Sequence, residues 1–103
     1  RIPVFRSHSE SINIETKKAF DIKTVVKLLD AQEGITMVDD PKTNTYPLAI
    51  DAEGKDEVFV GRIRRDYTVK NGLNMWVVAD NLRKGAALNT IQIAETLIKR
   101  NLV

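Results

Sequence analysis

A single histidine, His8, stands in the polar tetrad Ser7-His8-Ser9-Glu10. Its side-chain type ordinarily has a pKa of about 6.5, the only one here near neutral pH, so proton transfer at that pH falls first to this residue. Glu10 follows closely and can orient the ring if the chain is extended there. A lone histidine in a polar break is more often a solvated ring than an acid or base, so residue type alone leaves both roles open. Arg1 carries a planar fork that can hold a carboxylate bidentately if residues 1–6 form a strand; a plain surface arginine is the simpler outcome. Asp80 and Asn81 are capping residues, and Arg83 and Lys84 follow at what would be the positive end of a helix dipole. Two cations beside free backbone N–H groups would make an anion site, but both side chains can equally lie on a solvated face. Gly85-Ala86-Ala87 keeps that stretch small enough for close packing.

Composition removes several classes of chemistry. The 103 residues include no cysteine and one histidine, which excludes a disulfide framework, a cysteine zinc site and a polyhistidine centre, so no metal is expected. There is no P-loop, no Gly-rich dinucleotide fingerprint, no serine nucleophile elbow and no aromatic ladder. Sixteen basic and fourteen acidic residues leave a net charge of +2, spread along the chain, which argues against a nucleic-acid or membrane surface. No apolar run approaches membrane-spanning length and the first residues lack the form of a signal peptide, so a reducing, cytoplasmic setting is expected. The opening Arg1-Ile2-Pro3-Val4-Phe5 reads as if it enters in the middle of a strand, which suggests a truncated chain.

The elements that must position these residues follow from periodicity. Residues 1–6 and 11–16 are expected as two short strands with the His8 tetrad between them; Ile12 and Ile14 alternate with polar neighbours. Asp21 caps a helix with Ile22, Val25, Val26, Leu28 and Leu29 as its apolar positions, and Gly34 is placed to end it. Ile35 to Val38 is a short strand, followed by a turn-rich loop to Pro47 and a further turn from Asp51 to Lys55. Val58 to Arg64 and Leu73 to Ala79 are expected as antiparallel neighbours on either side of Asn71-Gly72, with Gly61 as a bulge or close-approach site. From Leu82 to about Arg100 the pattern is helical, with an apolar face wide enough to be gripped on two sides. The order strand, strand, helix, strand, strand, strand, helix implies an α+β fold, a mixed or antiparallel sheet with packed helices.

Read in order, Arg1-Ile2-Pro3-Val4 with His8-Ser9-Glu10, then Val38-Asp39-Asp40-Pro41, then residues 54–64 and residues 79–87, closely resemble bacterial aspartate-semialdehyde dehydrogenases, at that family's carboxy-terminal end. The resemblance runs from the first residue to the end of the last helix. It implies part of a glyceraldehyde-3-phosphate-dehydrogenase-like catalytic and dimerisation domain over residues 1–80, and over 81–103 a helix that packs on an absent NADP-binding domain. It also implies the reaction: NADP-dependent interconversion of aspartyl phosphate and aspartate semialdehyde through a cysteine thioester, in the diaminopimelate, lysine, methionine and threonine pathways. On this resemblance His8 falls on the acid/base histidine, Arg1 on the arginine that holds the substrate α-carboxylate, and Asn81 on a polar position near the nicotinamide. The nucleophilic cysteine has no counterpart, so the chain alone is expected to be inactive. A homodimer is implied, and a tetramer is open. Ser7 is a departure, because many members carry glycine before the histidine. The alternative from another class is a stand-alone α+β interaction module without catalysis.

Overall fold

The Asp21 carboxylate accepts a hydrogen bond from Thr24 N at 3.0 Å, and from that cap the chain enters helix α1, Ile22–Asp30. The computed structural model describes residues 2–103, and in it Ile22, Val25, Val26 and Leu29 form the half-buried side of α1. Leu28 points outward and is 67% exposed, contrary to its expected place on the apolar face. The helix stops at Asp30, before the expected glycine. Gly34 instead takes φ +80 in the turn that leads to strand β2, Ile35–Met37.

The sheet has four strands in the order β1-β4-β3-β2, where β1 is His8–Glu15, β3 is Val58–Asp66 and β4 is Gly72–Ala79. β4 is antiparallel to both β1 and β3, whereas β2 runs parallel to β3, so the sheet is mixed and the fold α+β, as expected. The strand expected over residues 1–6 does not form within the described part, residues 2–6, which is a bent segment. The reason is local: Pro3 has no N–H to give a ladder, and Val4 N turns back to Ile2 O at 3.0 Å.

Because side chains alternate across a pleated strand, the register places Ser9, Val78 and Phe59 on one face together with Trp76. A single helical turn, α2 (Ala49–Ala52), packs on that face; its fully buried Ala52 joins Phe59 and Val78, flanked by Val38, Ala49 and Trp76. Trp76 Nε1 satisfies its donor on Pro47 O at 3.1 Å. α2 lies where only loop and turn were expected, since one turn is too short to show a period.

Gly61 is both a close-approach site and the start of a bulge. A Cβ there would sit 2.1 Å from the Val38 carbonyl oxygen and 2.7 Å from Pro47 Cδ. The pairing of β3 with β4 slips between Gly61 and Arg64, with Arg62 at φ +55. Ile63 N, turned out of the ladder, is satisfied by Asp39 Oδ2 at 2.9 Å.

The last helix is broken where continuity was expected. Arg83–Ala87 forms a π-helical turn with a non-helical residue inside it, Ala86 at φ −137 and ψ −105, and α3 runs from Leu88 to Lys99. Neither part of this segment buries a residue, and Ile91, Ile93, Ile98 and Leu102 are all more than half exposed. The radius of gyration, 15.1 Å, exceeds the roughly 13 Å of a compact domain this long, in keeping with an arm that stands off the body.

Candidate active site at one end of the sheet

His8 is the first residue of β1, not part of a loop between two strands, and it pairs with Ala79, the last residue of β4. The antiparallel register therefore brings the segment leaving β4, Asp80-Asn81, to the histidine's end of the sheet. His8 and Glu10 share a face of β1, the extended geometry needed for pairing, but Nε2 and Oε1 are 3.7 Å apart, too far for a hydrogen bond. The histidine side chain is 42% exposed and Asn81 is exposed, so this surface has no wall that excludes water. Arg1 lies outside the described residues.

Ser7 sits at φ +64, in the left-handed region that favours glycine, and its residue is 5% exposed. Its hydroxyl is buried without a hydrogen-bond partner among the described residues. A side chain in this conformation costs about 1–2 kcal/mol, which a glycine would not incur.

Asp80 is the most heavily engaged polar group nearby. Only 3% exposed, its carboxylate accepts from Gly54 N at 2.8 Å and from Leu82 N at 2.9 Å. The Gly54 N–H foremost, joined by those of Leu82 and Arg83, holds the carboxyl below the ordinary aspartate value of 3.8 despite its burial. Arg83 is bonded to Asp56, and Arg6 reaches Glu53 at 3.4 Å. The turn after α2 thus ties to both segments that carry candidate residues. In the sequence Asp80 is legible only as a cap and residues 51–55 only as a turn, because partners so distant along the chain leave no local signal.

The pair of free cations considered at Arg83 and Lys84 is not present. Arg83 is engaged by Asp56, and Lys84 Nζ donates to Gln92 Oε1. Backbone N–H groups of Arg83 and Lys84 are also spent, both on Asp80 O.

These contacts predict an acid-labile fold. The Arg83 hydrogen bond depresses Asp56, and Thr68 foremost, with Asn13, depresses Asp66, as the Gly54 amide depresses Asp80. Folded values below the unfolded value mean stability that is complete above the ordinary 3.8 and lost as pH falls through the lower folded values. The melting temperature should therefore drop steeply on acidification below that value, and Asp80→Asn should flatten the slope. An equal slope in the variant would show that Asp80 is not a source of the pH dependence.

Comparison with known proteins gives this geometry its relatives. A family model described as semialdehyde dehydrogenase, dimerisation domain, matches residues 1–84. The aspartate-semialdehyde dehydrogenase of Aquifex aeolicus is 54% identical over 103 residues, covering 100% of this chain and 30% of that protein. The enzyme of the same name from Bacillus subtilis is 49% identical over 104 residues, again 100% of this chain and 30% of the relative. The chain thus spans about 30% of the length of these relatives. Among solved structures, aspartate semialdehyde dehydrogenase II from Vibrio cholerae, complexed with ASA, superposes with a TM-score of 0.84 at 44% identity, covering 96% of this chain and 29% of that one. The Candida albicans enzyme with NADP gives a TM-score of 0.74 at 27% identity, covering 100% of this chain and 33% of that one. A mixed sheet with these relatives along its full length leaves one assignment: the chain belongs to the semialdehyde dehydrogenase family and carries its dimerisation domain.

Proposed function

We propose that this chain is the carboxy-terminal part of an NADP-dependent aspartate-semialdehyde dehydrogenase, a cytoplasmic enzyme that interconverts aspartyl phosphate and aspartate semialdehyde. The observation that carries the reading is the His8–Ala79 register in a chain 54% identical to a curated relative of that name, since it sets the histidine and Asn81 at one end of the sheet. In this reading His8 is the acid/base, Arg1 binds the substrate α-carboxylate, and Asn81 lies against the nicotinamide. Bound NADP would accept hydride from the substrate. A thiol nucleophile becomes reactive as thiolate, and an imidazole at the site can take its proton.

Residues 1–80 then belong to the catalytic and dimerisation domain, and the family's description supports a homodimer. Residues 81–103 then form the segment, carrying α3, that packs on the NADP-binding domain, supported by the exposed Ile91, Ile93 and Ile98 of α3. No described helix is long and apolar enough to cross a membrane.

The test compares the 103-residue chain with the longer protein that contains it, using semialdehyde, phosphate and NADP. The longer protein should form NADPH in a phosphate-dependent way. The chain alone, with no cysteine to carry the thioester, should form none. Turnover by the isolated chain, or none by the longer protein, contradicts the proposal.

A further inference from the structure

We infer that Asp80 is a positioning residue, which holds Asn81 at the His8 end of the sheet by anchoring it to the turn of residues 53–56; this rests on the dehydrogenase reading above. The turn bears no candidate residue itself, yet three ties converge on it. Arg6, close before His8, reaches Glu53; Asp80, next to Asn81, takes the Gly54 N–H; and Arg83, just beyond, pairs with Asp56. The two arginine pairs are between 45% and 62% exposed, where single ion pairs fix little. The Asp80 tie differs in kind, being buried and charge-assisted at both oxygens.

The geometry shows why Asn81 depends on it. Oδ1 of Asp80 accepts from Leu82 N, closing a turn with Asn81 as its middle residue, while Oδ2 accepts from Gly54 N across the sheet end. One oxygen of Asp80 thus closes the turn over Asn81, and the other ties that turn to a distant loop. In Asp80→Asn one oxygen becomes an amide NH₂. That donor would face a backbone N–H, and one of the two anchors is lost.

A double-mutant cycle in the longer enzyme separates positioning from general stability. Asn81→Ala should raise KM for NADP about tenfold, the effect of one lost hydrogen bond. Asp80→Asn should raise the same KM about fivefold with kcat changed less than about twofold. The double variant should have a KM within about twofold of Asn81→Ala alone, because Asp80 acts through a side chain already removed. An unchanged KM in Asp80→Asn, or effects that multiply in the double variant, overturns the inference and leaves the dehydrogenase reading standing. A wild-type enzyme with no phosphate-dependent NADP reduction overturns both. Should Asp80→Asn fail to fold, Asp80→Glu, which keeps the charge but displaces both oxygens from the Gly54 and Leu82 amides, enters the same cycle with the same criterion.

Discussion

His8→Asn in the longer enzyme is expected to lower kcat by about 10²- to 10⁴-fold, the range for loss of a positioned general acid/base. Asparagine is close to histidine in size and keeps a hydrogen-bonding group, so the variant should remain folded. His8 is the first residue of β1 and its side chain is 42% exposed, so its packing contribution is small. The Glu10 carboxylate at 3.7 Å makes no hydrogen bond that the substitution would orphan. A large fall in kcat with an unchanged melting temperature is therefore the signature of a catalytic histidine. Near-full activity with a lowered melting temperature would make His8 structural.

Gly61→Ala should destabilise the fold by about 3 kcal/mol, the upper end for overpacking, although it adds only a methyl group. The obstacle is backbone, not a side chain that can rotate away: the new carbon would meet the Val38 carbonyl oxygen at 2.1 Å. Relief requires separating β3 from the segment after β2, where Val38 N donates to Val60 O at 2.9 Å. It also disturbs the bulge that hands Ile63 N to Asp39. A shift in the denaturant midpoint worth less than about 0.5 kcal/mol, the scale of an ordinary surface substitution, would show that the strands do not approach this closely.

The parts of the fold that could be read from sequence are those specified locally. Asp21 with the apolar spacing of Ile22, Val25, Val26 and Leu29 carries its helix in consecutive residues, and Asn71 ends the turn between β3 and β4, with Gly72 already the first residue of β4. Gly61 within an apolar run already pointed to close backbone approach. The failures lie where a distant partner, or its absence, decides. Residues 2–6 are apolar enough for a strand but have Pro3 among them and only a local turn to satisfy Val4 N. The short α2 exists because Ala52 fills the space beside Phe59 and Val78. The break at Ala86 follows a segment whose first N–H groups are held by Asp80.

The candidate site divides in the same way. His8 stands out by residue type and Asn81 gains a site role only from the resemblance, and the strand register brings their segments to one end of the sheet. The resemblance could not supply the ties at Glu53, Gly54 and Asp56. Asp80 and Gly54 are 26 positions apart, and Arg83 and Asp56 are 27 apart, so neither pair belongs to any motif. At Arg83 and Lys84 the sequence leaves an anion site and a solvated face equally open, because the cationic type is visible and the partners, Asp56 and Gln92, are not.

The pH dependence of kcat, measured side by side in the wild-type longer enzyme and in His8→Asn, bears most directly on the proposed role of the histidine. The wild type should show a limb between about pH 5 and 8, where imidazoles titrate, and the variant should lack it while keeping any limb due to other groups. A limb of the same midpoint and slope in both proteins would contradict His8 as the proton-transfer group.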